Sequence, residues 1–264
     1  MADWIPDGID LSRPSAARVY DYFLGGGHNF EVDRVFAERA LAAHPFGREL
    51  AVINRTFVRR AVQFMLERGI RQFLDLGSGI PTVGNVHEIA GEGTRVVYVD
   101  CDDVAVAHTR LMLRDSDRAT IVHADAARPD DVLGAPETRR MLDFGQPVGV
   151  LAATVFHYVS ERQDPFGAAA RYREAIMRGS YLAVSHLSSD GLPVRVGQMA
   201  ELMKESQNNV HPRTRVEIAR LFGDFEMVAP GLTGVAHWES ERPTDAGRHE
   251  DVGLLLQAGI GRKP

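Results

Sequence analysis

The sequence predicts an α/β protein in which a parallel sheet is covered by helices on both faces and preceded by a helical N-terminal cap. Three observations lead there. From about residue 70 onward, short β-branched apolar runs alternate with stretches of helical period, the pattern that builds a parallel sheet. One such run, Phe73-Leu74-Asp75-Leu76, passes straight into Gly77-Ser78-Gly79-Ile80-Pro81-Thr82, which reads as strand, tight turn and helix start. Before residue 70 the apolar spacing is helical.

Taken in order, residues 1–14 form an irregular arm, and Ser15 can cap a helix over 15–24 carrying Ala16, Val19, Tyr20 and Phe23 on one stripe. Gly25-Gly26-Gly27 breaks it; three glycines in a row fit a plain flexible linker, and the flanking Tyr20, Tyr22, His28 and Asn29 point more specifically to a hinged lid. Helices follow over 32–44, closed by Pro45, and over 47–68, with Leu50, Ile53, Phe57, Ala61 and Phe64 as the apolar stripe and Gly69 as the stop. Strands are expected over 71–75, 95–100, 119–123, 147–153 and 180–186. Helices are expected over 82–90, 102–114 and 164–177, the first with Pro81 in its opening turn, where a missing N–H costs nothing.

Composition bounds the partners. At 264 residues and 44% apolar content the chain can bury one good core. A net charge of −6 gives no electrostatic reason for general nucleic-acid or anionic-membrane binding. The single cysteine, Cys101, excludes an internal disulfide framework and fits a reducing compartment. No apolar run is long enough to span a bilayer and the first residues lack a signal pattern, so a cytoplasmic location is expected.

Parallel sheets bind ligands beyond the carboxyl ends of their strands, which directs attention to Gly77 and Gly79, Asp100, Asp125, and residues 153–158. An acid about twenty residues beyond a glycine turn can accept from two vicinal ribose hydroxyls, so Asp100 implies a nucleoside cofactor. Thr82 stands where a dinucleotide fingerprint wants a third small residue, no Gly-Lys occurs, and neither lysine, Lys204 or Lys263, follows a tyrosine by four. These departures favour an adenosyl cofactor without phosphates, S-adenosylmethionine. A nicotinamide oxidoreductase, and a non-catalytic protein that senses the nucleoside, stay open as alternatives. No metal-ligand spacing and no Gly-x-Ser-x-Gly turn is present.

Asp75-Leu76-Gly77-Ser78-Gly79, Tyr98-Val99-Asp100, Ala124-Asp125-Ala126 and the run after the fourth strand resemble the cofactor motifs of class I S-adenosylmethionine-dependent methyltransferases. Three longer stretches, residues 10–30, 54–61 and 79–88, resemble a bacterial family known as S-adenosyl methyltransferases, whose substrate is unassigned. The resemblance implies a Rossmann-like seven-stranded sheet with its last strand antiparallel, closed here by 225–228 and 253–259 with 239–251 as the connecting loop. It divides the chain into a helical cap over 1–69 and a cofactor-binding unit over 70–264, with 188–215 inserted on the acceptor side, together one compact unit.

On that resemblance Gly77, Ser78 and Gly79 pass under the methionine part, Asp100 takes the ribose, Asp125 with Ala126 takes the adenine, and Cys101 and Ala153 pack against the ligand. Asp75 orders the turn by accepting its N–H groups. The methionine carboxylate needs a cation, for which Arg55 and Arg18 are the candidates, with Tyr22, Gly26 and Asn29 as lid contacts. His157 and Tyr158 lie where a small-molecule acceptor would approach, and His157 has the chemistry of a general base. His186 can face the same space, whereas His87 and His108 fall in apolar helix stripes and read as core.

Overall fold

The computed structural model describes residues 9–82, 84–238 and 250–264. The helices are α1 (Ala16–Phe23), α2 (Glu31–Ala43), α3 (Gly47–Glu67), α4 (Val86–Ala90), α5 (Asp103–Met112), α6 (Pro129–Gly134), α7 (Pro136–Met141), α8 (Pro165–Ala175), α9 (Pro193–Met203), α10 (Arg215–Arg220) and α11 (Glu250–Leu255). The strands are β1 (Gln72–Leu76), β2 (Arg95–Asp100), β3 (Ala119–His123), β4 (Gly149–Ala153), β5 (Tyr181–Leu187), β6 (Glu226–Met227), β7 (Thr233–Gly234) and β8 (Leu256–Arg262).

They form one eight-stranded sheet in the order β3-β2-β1-β4-β5-β8-β6, with the two-residue β7 also paired to β8. β1 to β5 run parallel, and β8 is antiparallel to β5 over seven residue pairs, from Tyr181 opposite Arg262 to Leu187 opposite Leu256. The sheet thus has the expected parallel body and antiparallel end, with β7 as an extra strand.

The central strands β1, β4 and β5 are buried on both faces, and the alternation of side chains along the sheet feeds two cores. One face carries Leu74, Val97, Val150 and Leu182 against Ala169 and Tyr172 of α8 and Phe222. The other carries Phe73, Val96, Leu151 and Ala183 against Phe57, Ala61 and Met65 of α3, together with Trp238. Phe57 and Phe64 meet the Trp238 ring edge-on at 5.4 and 5.9 Å. α3 therefore belongs to the sheet's own layer, and α1 and α2 form the cap proper. Among the described residues no helix is long and apolar enough to cross a membrane.

Several boundaries differ from the sequence expectation for identifiable reasons. The helix expected over 82–90 spans only Val86–Ala90, because Gly84 lies at φ +82°, outside the helical region, and Asn85 becomes the N-cap. Pro81 therefore sits in the loop, and no long helix starts over the glycine turn. At the far end, residues expected to begin a strand at 253 are helical to Leu255, and the strand runs from Leu256 to Arg262. Most of the loop expected over 239–251 lies outside the described residues. α6 and α7 were not anticipated, although each opens on a proline at its first position.

The triglycine segment forms a hydrogen-bonded turn around Asp21. The Asp21 carboxylate, buried beneath it, accepts the His28 N–H at 2.9 Å and the Asn29 amide at 2.8 Å, while the Gly26 N–H donates to the Asp21 carbonyl at 2.9 Å. A Cβ on Gly26 would collide with that carboxylate.

Candidate functional site

The carboxyl ends of β1 to β4 open into one cavity of about 450 Å³, within the size range of pockets that enclose small ligands. Its floor is the turn Gly77-Ser78-Gly79. Gly77 has φ +61° and a Cβ there would stand 2.5 Å from Val155 Cγ2; Gly79 has φ +68° with open space around it. The two glycines therefore serve different ends: Gly77 lets β4's following loop close on the turn, and Gly79 leaves the backbone bare toward the cavity. Gly77→Ala should cost about 2–4 kcal/mol, combining left-handed strain with overpacking, and Gly79→Ala about 1–2 kcal/mol from strain alone. Urea unfolding of the two variants checks that ordering.

Four carboxylates line the cavity, Asp75, Asp100, Asp102 and Asp125, and the first two are buried. Asp100 Oδ2 accepts the Gly79 N–H at 2.7 Å and Oδ1 accepts the Asp102 N–H at 2.9 Å, so Asp100, and not Asp75 as expected, ties down the turn. Burial raises Asp100 to about 6, against the opposing pull of those N–H groups. Burial likewise raises Asp75 to about 7, with Arg55 drawing it down and Asp100 pushing it up. Arg55 is the one permanent cation among the described residues lining the cavity, and its Nη2 donates to the Gly84 carbonyl at 3.1 Å. Cys101 beside Asp100 is exposed over part of its surface, while desolvation of its thiol and the neighbouring carboxylates of Asp100, Asp125 and Asp102 push it up to about 12, which keeps it a protonated thiol near neutral pH.

Of the other sequence candidates, Asp125, Ala126, Ala153 and Tyr158 line the cavity. Asp125 also accepts the Ala127 N–H at 2.8 Å, so it is a turn former as well as a wall residue. Tyr22, Gly26, Asn29 and His157 do not line it. The Tyr22 hydroxyl donates to Glu38, with the Arg48 guanidinium 4.8 Å over its ring, and Gly26 and Asn29 are spent on the turn around Asp21. Arg18 is sealed in the cap, its Nε 2.9 Å from Asp33 Oδ2.

His157 is turned away from the cavity because the 3-10 turn Phe156–Tyr158 sends successive side chains in different directions. Its Nδ1 accepts the Leu187 N–H at 3.3 Å, and burial together with His186 and Arg213 holds it well below the usual imidazole range. His186 is buried too, with Nδ1 2.9 Å from the Leu187 carbonyl and Nε2 3.0 Å from Arg213 Nη1. An arginine only donates, so His186 Nε2 accepts, Nδ1 carries the hydrogen, and the ring is neutral. Both histidines are architectural. Arg213 ties His186 to the loop after β4, which carries His157, through bonds to the Phe156 and Val159 carbonyls at 2.9 and 2.8 Å and to Glu161 at 2.8 Å.

Sequence reasoning missed a polar network at the end of β4. Asn54 of α3 donates to the Tyr20 hydroxyl at 3.0 Å and accepts from Ser185 Oγ at 2.6 Å. Thr154, in the left-handed region at φ +56°, is held there by its N–H donating to the Ser185 carbonyl at 2.9 Å. Tyr20, Asn54 and Thr154 all line the cavity. Asn54 opens the stretch 54–61, one of the three that resemble the family, and that resemblance is the signal the sequence offers for it.

The roof is made by two segments far apart in sequence. The Gln207 N–H donates to the Pro14 carbonyl at 2.9 Å, the Ala16 N–H to Asn208 Oδ1 at 2.9 Å, and Arg13 to the Lys204 carbonyl at 3.0 Å. Ser15 Oγ closes the arm onto Asp102 at 2.5 Å. From the expected acceptor-side insertion, residues 207–209 and His211 reach the cavity, whereas the stripe of α9 packs as core: Val196 on Leu187 and Leu255, Leu202 and Met203 on the cap. Among the described residues no group of His, Cys, Asp or Glu could hold a metal ion.

An adenosyl cofactor with a cationic amino-acid end fits these residues. Two buried carboxylates raised toward neutrality are relieved by a positive ligand, Arg55 offers a partner for a carboxylate, and the bare turn admits a close backbone approach. A pyrophosphate would meet Asp75 and Asp100 with like charge.

The profile of the S-adenosyl methyltransferase family matches residues 2–264. A crystal structure of a candidate methyltransferase from Thermobifida fusca YX is 40% identical, covers 99% of both chains and superposes with a TM-score of 0.92. A DUF574-family protein from Streptomyces avermitilis MA-4680 is 33% identical over 96% of this chain and 98% of that one, with a TM-score of 0.90. The N-methyltransferase NodS from Bradyrhizobium japonicum WM9, solved with S-adenosyl-L-homocysteine, is 12% identical over 94% of this chain and 99% of its own at a TM-score of 0.53, a likeness of fold. A comparison with curated proteins finds no match.

Proposed function

The chain belongs to the S-adenosyl methyltransferase family, and from that premise we propose that this S-adenosylmethionine-dependent enzyme methylates a small molecule by direct in-line displacement. The observation that carries the small-molecule reading is the roof: Ser15 to Ala17 and residues 207–209 line a cavity of about 450 Å³ from above, the two segments joined by the Gln207 N–H donating to the Pro14 carbonyl and the Ala16 N–H donating to the Asn208 side chain. A space so covered suits a compact acceptor better than a polymer.

When bound, S-adenosylmethionine supplies a methyl group already activated on a sulfonium. The chain's residues then bind, orient and exclude water, which is where positioning contributes several kcal/mol. In the proposed arrangement Asp100 accepts from the ribose hydroxyls and Asp125 from the adenine amine. Arg55 pairs with the methionine carboxylate, and Asp75 offsets the positive charge at the same end. Incubating the protein with a cell extract and methyl-tritiated S-adenosylmethionine tests the reading. Label in the small-molecule fraction supports it, and label confined to protein or RNA overturns it.

Binding should also depend on pH in a defined direction. Asp100 and Asp75 are protonated in the empty protein below about 6 and about 7, and the ligand needs them ionised, so protons compete with it. Affinity for S-adenosylhomocysteine should therefore fall as pH drops through 7, approaching tenfold per pH unit below about 6 for each carboxylate that must ionise. Calorimetry in buffers of different ionisation enthalpy should show proton release at pH 6, and uptake there would contradict the assignment.

A further inference from the structure

With His157 and His186 buried under the loop after β4, the acceptor end of the cavity presents one imidazole, that of His211. Its backbone is fixed: the His211 N–H donates to the His157 carbonyl at 2.6 Å, and Pro212 restricts it to extended conformations. Arg213, two residues on, is buried and anchored on both sides of the loop. Among the described residues nothing hydrogen-bonds the His211 ring. A side chain whose backbone is anchored at the cavity wall, and whose ring has no hydrogen-bond partner among the described residues, is available to a ligand there.

The other titratable groups that line the cavity are otherwise committed: Asp125 accepts the Ala127 N–H at the β3 end, and Cys101 beside Asp100 has its thiol pushed up to about 12. Asp102 caps α5 and binds Ser15, Asp75, Asp100 and Arg55 lie at the cofactor end, and burial raises Tyr20 and Tyr158 above the usual phenol range, which keeps them as donors. Around His211 stand His157, Arg213 and Glu161. Partial burial and Arg213 hold the ring below the usual imidazole range, with Glu161 opposing, so it is neutral near pH 7 and has a lone pair to accept a proton. The remaining lining at this end, including Tyr158, Ser160, Gln163 and Asn209, carries hydroxyls and amides but no charge.

We infer that His211 is the general base for methylation of an uncharged hydroxyl compound, a reading that rests on the small-molecule function proposed above. The hydroxyl oxygen gains the methyl group as its O–H bond breaks, the proton passes to the His211 ring nitrogen, and the electron pair of the broken carbon–sulfur bond stays on sulfur. The imidazolium then releases its proton to solvent. An acceptor without a removable proton would have no use for such a group.

The test uses the full chain saturated with S-adenosylhomocysteine, phenol and catechol as probes, and histidine side-chain NMR with His211→Gln assigning the ring. Probe binding is expected to shift the His211 resonance. In turnover with methyl-tritiated S-adenosylmethionine, His211→Gln should lower kcat/KM for the phenols by about 100-fold or more. It should leave S-adenosylhomocysteine affinity unchanged and, with S-adenosylmethionine saturating at every pH so that Asp75 and Asp100 do not contribute, abolish the acid limb of kcat/KM for the phenols. Undiminished transfer in His211→Gln, or probe binding with no shift of the ring, overturns the assignment. Label passing to thiols or amines, with His211→Gln as fast as the parent, overturns the base while leaving small-molecule transfer intact; no label in any small acceptor overturns both.

Discussion

Asp100→Ala is expected to weaken S-adenosylhomocysteine binding by roughly 100-fold or more, because a charged acceptor shared by two hydroxyls is worth about 1.5–3 kcal/mol per bond and every 1.4 kcal/mol is about tenfold in affinity. The empty variant should not suffer in proportion. In the absence of ligand this carboxylate is buried and raised to about 6, so the native state bears a desolvation cost that alanine removes. Two N–H groups, of Gly79 and Asp102, lose their acceptor in exchange. The signature is therefore a protein that melts near the parent temperature but no longer gains stability from the ligand. Differential scanning calorimetry with and without S-adenosylhomocysteine reads both quantities, and a ligand-induced rise equal to the parent's would refute the role given to Asp100.

Asp33→Ala should cost about 3–5 kcal/mol of stability, the usual penalty for stranding one member of a buried ion pair. Asp33 is fully buried and Arg18 is 2% exposed. The carboxylate accepts from the Ser15 N–H at 3.0 Å, from Arg18 Nε at 2.9 Å and from the Phe30 N–H at 2.9 Å, so it joins the start of α1 to the start of α2. Removing it leaves a guanidinium whose remaining acceptor among the described residues is the Arg13 carbonyl at 3.0 Å. Urea unfolding measures the loss, and the double variant Arg18→Met, Asp33→Leu should recover most of it, since no charge is then left behind. A loss under about 1 kcal/mol in the single variant would show that the cap tolerates the unpaired cation.

The parallel half of the fold was readable because its central strands β1, β4 and β5 are buried on both faces and so appear as continuous apolar runs. Gly77, Gly79 and Asp100 were readable because a strand end fixes the direction of the next few residues, which makes spacing along the chain a guide to position in space. That guide fails wherever the chain is irregular. His157 and Tyr158 are neighbours in sequence, yet a 3-10 turn sends one to β5 and the other to the cavity. Arg18 and Arg55 both sit on helices facing the site region, and only the position of Asp33 decides which of them is already paired. His211 comes from a segment with no repeating period, brought to the cavity by Arg213 and by a backbone bond to the loop after β4, neither of which leaves a pattern in the residues around it.

The place of β8 has a consequence for biosynthesis. β5 is seven residues long and buried on both sides, and along one edge it is completed only by residues 256–262. While a ribosome makes the intervening chain, that edge stands open, and an unpaired apolar edge is where nascent polypeptides adhere to one another. Slowing translation after residue 187 should therefore lower the soluble yield, and chaperones that shield extended segments should restore it.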